Sequence, residues 1–276
     1  MSNTLDNNAG ASKGTALITG ASGGIGAVYA DRLARRGYDL ILVARSADKL
    51  GEVARRIAND SGRSVRTIVA DLNNAEDLGK VEAVLRSDGE IIALVNNAGV
   101  GAASKLLDSD IEAMAALIDL NIVALTRLTY AVVPKLVARG GGTIINIASI
   151  AGIAPELLNG VYGASKAYVL TLSESLNHEL ADKHIRVQAV LPGATATDFW
   201  NIIDGVGNLP QQIVMSTEDM VDAALAGLDL GERVTIPSLP DAADWNAFEN
   251  ARRTLTPNLS LVQPAARYGV FGKGAA

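Results

Sequence analysis

Seven short runs rich in β-branched residues punctuate this chain. They are TALIT (15–19), YDLILVA (38–44), SVRTIVA (64–70), IIALVN (91–96), GTIINIA (142–148), IRVQAVL (185–191) and RVTIP (233–237). Longer amphipathic segments lie between them, at about 25–38, 46–60, 73–87, 108–139, 160–183 and 217–230. Most of the runs are apolar on both faces, the pattern of strands buried beneath helices in a parallel sheet rather than of half-exposed antiparallel strands. Several helical segments open on a capping residue, Asp108 and Thr217 among them. Such alternation predicts an α/β fold: one doubly wound domain with a seven-stranded parallel sheet flanked by helices.

Two regions break the rhythm. Residues 192–216 follow the sixth run with Pro, Gly, Thr and the bulky Phe199 and Trp200; residues 238–276 form a tail containing Pro240, Pro257 and Pro264. Ligands of open α/β sheets sit beyond the carboxyl ends of the strands, so the 192–216 loop is placed to cover a substrate. The expected organisation is a disordered tail over 1–13, a catalytic domain over 14–237, and a C-terminal extension over 238–276 that packs on the same domain or on a neighbouring subunit.

Composition narrows the chemistry. A net charge of -6 without a Lys/Arg-rich run argues against nucleic acid or an anionic membrane surface as partner. The absence of cysteine removes disulfides, thiolate catalysis and Cys-ligated zinc. With only His178 and His184 available, a zinc site or a Ser-His-Asp triad is poorly supplied, and no metal is expected. The N-terminus lacks the apolar core of a signal peptide, and no apolar run reads as long enough to span a bilayer. A cytoplasmic protein is the expectation.

The first strand runs into TGASGGIG, residues 19–26. Gly20, Gly24 and Gly26 give it a G-x-x-x-G-x-G spacing, with Ser22 and Ile25 among the residues between them. This spacing is neither G-x-G-x-x-G nor a phosphate loop of the NTPase type. It still offers a tight turn, close backbone approach and the free N–H groups of a helix start, which together suit a pyrophosphate. At the end of the second strand, where an NAD-preferring site places an acidic side chain against the ribose 2′-hydroxyl, the chain has Ala44, Arg45 and Ser46. An arginine here can pair with a 2′-phosphate and a serine can add a hydrogen bond, so NADP(H) is the expected cofactor.

In GVYGASKAYVL (160–170), Tyr162 and Lys166 are four residues apart and therefore on one helix face. A nearby ammonium favours the phenolate, so the lysine is expected to lower the tyrosine's pKa and make it a working general acid or base. Gly163, Ala164 and Ser165 are read as keeping that face slim enough to admit a nicotinamide. Ser149, ending the fifth strand, can donate a hydrogen bond to a substrate carbonyl oxygen and stabilise the developing alkoxide.

Taken in order, TGASGGIG, Asp71-Leu72, Asn97-Ala98-Gly99 within NNAG, Asn121, Ser149, Tyr162-x-x-x-Lys166 and Pro192-Gly193 with Thr195 and Thr197 resemble the short-chain dehydrogenases/reductases. The resemblance covers about residues 14–237 and is to the compact branch. It implies a Rossmann-type fold and reversible, NADP(H)-dependent hydride transfer between a carbonyl and a secondary alcohol. It implies that Asp71 holds the adenine and that Asn97, Ala98 and Gly99 border the riboses. Lys166 is implied to bind the nicotinamide ribose hydroxyls, and Thr195 and Thr197 to contact the carboxamide. Asn121 is implied to complete a catalytic tetrad through a water. Ala124 stands where many members have glycine. Ile150, Ala151, Leu157, Phe199 and Trp200 are the candidate pocket residues; they are apolar, which suits a neutral, fairly hydrophobic ketone or aldehyde. A homodimer or homotetramer is expected, because the 108–139 and 160–183 segments are apolar beyond one face and family members pair through the equivalent helices. The rival reading is a catalytically silent, NADP(H)-sensing regulatory protein.

Overall fold

The computed structural model describes residues 11–197 and 210–270. Strands β1 (Thr15–Thr19), β2 (Asp39–Ala44), β3 (Val65–Val69), β4 (Ile91–Asn96), β5 (Gly142–Ile147), β6 (Ile185–Val190) and β7 (Val234–Thr235) form one sheet in the order β3-β2-β1-β4-β5-β6-β7. Every pairing is parallel. The chain winds outward from β1 to β3, then returns to lay β4 on the other side of β1. The β1/β4 boundary is thus the switch point where a crevice opens at the carboxyl edge.

Alternation along the strands divides the core. Ala16, Ile18, Leu40 and Leu42 face a layer made by α1 (Gly24–Arg35), α2 (Ala47–Ser61) and α7 (Thr217–Asp229), whose Leu33, Leu50, Ile57, Met220 and Leu225 are buried against them. Leu17, Ile41, Val43, Leu94 and Ile144 face α3 (Ala75–Ser87), α5 (Leu125–Ala138) and α6 (Gly160–Glu179), which bury Leu85, Leu128, Val132 and Leu176. Ion pairs join neighbouring helices within each layer: Arg32 with Asp222 and Arg36 with Asp229 between α1 and α7, and the buried Glu82 of α3 with Arg127 of α5. β3 departs from the doubly buried pattern because it is the sheet edge, leaving Val69 51% exposed.

The expected helix over 108–139 resolves into parts. A 3-10 turn spans Leu106–Asp108, α4 spans Ile111–Ile118, a π-helical segment spans Asp119–Ala124, and α5 completes the run. Asp110, not Asp108, caps α4, accepting from Ala113 N at 3.0 Å. Ser216, not Thr217, caps α7, while the Thr217 hydroxyl donates to Ala196 O. Ile111–Ala138 is, by length and composition, apolar enough to cross a bilayer, which corrects the reading of the sequence. Here its inner side chains Leu117, Ala124, Leu128, Val132 and Leu136 are buried within the protein.

The chain separates into two compact units, Met1–Pro237 and Ser238–Ala276. In the second, α8 (Ala242–Thr254) is capped by Asp241, stacks Trp245 on Phe248 with ring centroids 5.2 Å apart, and pairs Glu249 with Arg252.

Candidate active site

Because all strands are parallel, the segments after β1, β2, β3, β4, β5 and β6 emerge on one edge, bringing Gly20, Arg45, Asp71, Asn97, Ser149 and Pro192 to the same side of the sheet. The glycine loop fits a close-lying anion. Gly20 holds φ at +66°, and a Cβ there would lie 2.7 Å from Asn97 Nδ2. A Cβ on Gly26 would lie 2.4 Å from the Gly20 carbonyl oxygen, so the first turn of α1 packs directly on the turn before it. Among the described residues no side chain caps α1, and its first turn carries no acidic residue, which suits its leading amides and positive dipole end to an anion. Ser22 and Ile25 are half-buried within this loop.

Thr19 fastens the two halves of the crevice, although it attracted no role in the sequence. Its Oγ1 accepts from Asn97 N and Ala98 N, both at 3.0 Å, while Asn97 Nδ2 donates to Thr19 O at 2.9 Å and Gly20 O at 3.2 Å. Only its position at the head of the glycine motif could have signalled this. Behind it, Asn96 Nδ2 donates to Asn146 Oδ1 and Thr129 Oγ1, and Asn146 Nδ2 donates to Ser173 Oγ, a buried polar ladder joining β4, β5, α5 and α6.

Arg45 and Ser46 are exposed at the end of β2, and Arg45 has no ion-pair partner among the described residues. Asp71 Oδ1 accepts from Asn73 N at 3.0 Å, closing a turn after β3, and Leu72 beside it is buried. Thr195 Oγ1 donates to Gly193 O at 3.2 Å, and Thr195 bridges to Met215. Thr197 Cγ2 lies 3.3 Å from where a Cβ on Gly24 would stand, which brings the segment after β6 back to the glycine loop. Phe199 and Trp200 lie outside the described residues.

Ser149, Tyr162, Lys166 and Asn121 converge and are all buried. Ser149 opens a 3-10 turn (Ile150–Gly152), its Oγ accepting from Ala151 N at 3.2 Å and lying 3.5 Å from Pro192 O. A hydrogen bond also joins it to the Tyr162 hydroxyl. Lys166 Nζ sits 5.8 Å from the Tyr162 ring centroid and donates to Ile147 O at 2.9 Å. Burial pushes the Lys166 pKa down to about 8. Burial also pushes the Tyr162 phenol above its ordinary value, with the Ser149 hydrogen bond opposing. The expected lowering by Lys166 is therefore not found: the phenolate loses its hydration, and the ammonium is drawn to a main-chain carbonyl.

The small residues beside Tyr162 also allow close packing. A Cβ on Gly163 would be 3.1 Å from Ala151 O, and one on Gly152 would be 2.9 Å from Lys166 O, so glycines let the Ser149 turn lie against α6. Ser165 Oγ accepts from Asn121 Nδ2 at 3.1 Å. Asn121 lies in the π-helical segment, where Oδ1 accepts from Val100 N and Nδ2 donates to Val100 O, each at 2.9 Å. Gly99 lies beside it: a Cβ there would be 3.0 Å from Asn121 Oδ1 and 3.5 Å from Lys166 Nζ.

Next to Tyr162, an apolar cluster gathers Ala102, Met114, Leu117 and Ala151, with Val100 and Leu158 against it. Of the pocket residues expected from sequence, Ala151 lies in this cluster, Ile150 is half-buried, and Leu157 is 51% exposed while its neighbour Leu158 takes the packed position. Val100, Ala102, Met114 and Leu117 were missed, since their approach depends on the path of the loop after β4. Among the described residues no group of three or more His, Asp or Glu could hold a metal ion.

A glycine-cradled switch-point crevice, with a serine, tyrosine and lysine gathered at its edge, defines a Rossmann-type dinucleotide-binding architecture. The sequence matches the family model for short chain dehydrogenases over residues 14–204. The chain belongs to the short-chain dehydrogenase/reductase family of oxidoreductases. A short-chain dehydrogenase from Sphingobium yanoikuyae, solved in complex with NADPH, is 48% identical, with a TM-score of 0.88 over 92% of this chain and 100% of that one. A bulky-bulky ketone specific alcohol dehydrogenase from Comamonas testosteroni is 44% identical, with a TM-score of 0.85 over 92% and 98%. A very-long-chain 3-oxoacyl-CoA reductase of Rattus norvegicus is 36% identical over 80% of this chain and 70% of its own length.

Proposed function

We propose that this protein catalyses reversible hydride transfer between NADP(H) and a neutral, fairly hydrophobic ketone or aldehyde and its alcohol, through chemistry carried by residues 14–237. The observation that carries the reading is the buried Tyr162 hydroxyl, hydrogen-bonded by Ser149 and backed by Lys166, at the edge where the glycine loop opens. The uncapped start of α1 receives the pyrophosphate, Arg45 with Ser46 pairs the 2′-phosphate, Asp71 and 97–99 border the adenosine, and Thr195 and Thr197 lie toward the carboxamide. The NADPH complex of the Sphingobium relative supports this cofactor. Bound there, the reduced nicotinamide supplies the hydride.

The chain's own residues manage the proton. Tyr162 Oη gives its proton to the carbonyl oxygen as charge develops there, and Ser149 Oγ holds that oxygen in line. The Tyr162 phenol, pushed above its ordinary value by burial, is protonated at neutral pH as any phenol is, the form a reduction needs. Lys166, still largely protonated at neutral pH with a pKa of about 8, is the cation available to stabilise the tyrosinate left behind. Asn121 holds the helix and loop beside it and completes the tetrad. The apolar wall of Val100, Ala102, Ala151 and Leu158 offers no cation for a carboxylate, and the Comamonas relative is named as specific for bulky-bulky ketones. Ile111, Ile118, Val123 and Tyr130 on the long helical run, with Tyr168 on α6, form the face through which we expect two copies to pair.

The test is loss of NADPH absorbance with a panel of aldehydes, ketones and diketones, alongside a direct NADPH titration. Turnover with neutral ketones is expected. Tight NADPH binding with no turnover on any member would overturn the enzymatic reading and favour a cofactor-sensing protein.

A further inference from the structure

The loop after β4, residues 100–109, supplies part of the wall beside Tyr162 and is held by two asparagines. Asn121 grips its start at Val100. Asn159, buried at 6% exposure, grips the rest. Its Nδ2 donates to Ser104 O at 2.6 Å and Ser109 Oγ at 3.1 Å, and its backbone N donates to Ala102 O at 3.2 Å. The other end of the same side chain serves a different element. Asn159 Oδ1 accepts from Val161 N at 2.8 Å and from Tyr162 N at 3.4 Å, capping α6 at the turn that carries the tyrosine.

We propose that Asn159 is a positioning residue that locks the 100–109 loop to the first turn of α6, so that the substrate wall and the Tyr162 hydroxyl keep a fixed separation. This rests on the reading of Tyr162 as the general acid. An amide suits this place because its oxygen accepts from two helix amides while its nitrogen donates to two loop acceptors, one proton more than a hydroxyl carries. Ser and Asp cap helices as well as Asn does, but a carboxylate cannot donate. Set 2.6 Å from the Ser104 carbonyl oxygen, it repels the loop while strengthening the cap through the helix dipole.

Asn159→Asp therefore separates the two functions that Asn159→Ala removes together. For Asn159→Asp, we expect KM for a ketone substrate to rise about tenfold, the loss of roughly one to two hydrogen bonds, with kcat within about twofold of wild type and NADPH affinity unchanged. Amide hydrogen exchange over 101–109 speeds up while that of Val161 and Tyr162 stays slow. Ser109→Ala, which leaves the cap untouched, shifts KM and loop exchange in the same direction by less. Asn159→Ala lowers kcat as well and speeds exchange at both places. Wild-type KM and wild-type loop exchange in Asn159→Asp would overturn the proposal, as would equal kcat losses in the Asp and Ala variants with KM unmoved. If no carbonyl compound is turned over by wild type, the reading of the function fails. The exchange pattern still decides whether Asn159 ties the loop to the helix.

Discussion

Replacing Lys166 by methionine should change how stability depends on pH. Burial of this ammonium lowers its pKa from the ordinary 10.5 to about 8, even though Nζ donates to Ile147 O. The unfolded chain keeps the ordinary affinity. Between these values the unfolded state binds more protons than the folded one, so stability must rise with pH in that window, fully relieved above it and lost again as pH falls through about 8. Each unit of difference corresponds to about 1.36 kcal/mol. From pH ~7 to ~9.5 the folded lysine discharges while the unfolded one stays charged, so wild type should gain about 2 kcal/mol relative to Lys166→Met. The raised tyrosine pKa values act in the opposite sense, but only above pH ~10, the ordinary phenol value, so the window stays clean. Urea denaturation followed by far-ultraviolet circular dichroism, at half-unit pH steps on both proteins, measures the difference. Parallel stability curves would mean that the lysine keeps its ordinary proton affinity when folded, and the desolvation argument would fail.

Tyr162→Phe should lower kcat by about 10²–10⁴ while leaving NADPH binding intact, read by steady-state rates beside a fluorescence titration; near-normal turnover would refute its role. Arg45→Ala should weaken NADPH by about ten- to hundredfold, the loss of a charged hydrogen bond, and barely alter NADH; equal effects on both would reject the 2′-phosphate assignment. Gly26→Ala places a Cβ 2.4 Å from the Gly20 carbonyl oxygen. Because the obstacle is backbone, a loss of about 1–3 kcal/mol is expected, seen as a lower Tm together with weaker NADPH binding; an unchanged melt would contradict the close packing of loop and helix.

Strands were legible where burial on both faces produced uninterrupted apolar runs, as in β1, β2 and β4. They were less legible at the edges: β3 keeps the β-branched signal but exposes Val69, and the RVTIP run pairs only over Val234–Thr235. The cap of α4 moved from Asp108 to Asp110 because Ser109, held to Ser104, Lys105 and Asn159, keeps the preceding turn outside the helix. That is tertiary information absent from local spacing. The same holds at the site. Spacing put Tyr162 and Lys166 on one face, but the Ile147 carbonyl decides where the ammonium points, and burial decides the direction of the phenol's shift. Leu157 and Leu158 are indistinguishable in sequence; the path of the loop packs the second and exposes the first.

The π-helical segment Asp119–Ala124 has a consequence for the phase of the helices around it. A π turn accommodates one residue more than an α turn, and each α-helical residue advances the chain by about 100°. Excising a single residue there would restore an unbroken α-helix and swing everything before it by roughly a quarter turn relative to α5. Leu128, Val132 and Leu136 could stay seated on the sheet only if Asn121 rotated away from Val100, and Met114 and Leu117 away from Tyr162. One surplus residue thus acts as an angular offset between the helix that packs the core and the helix that walls the site.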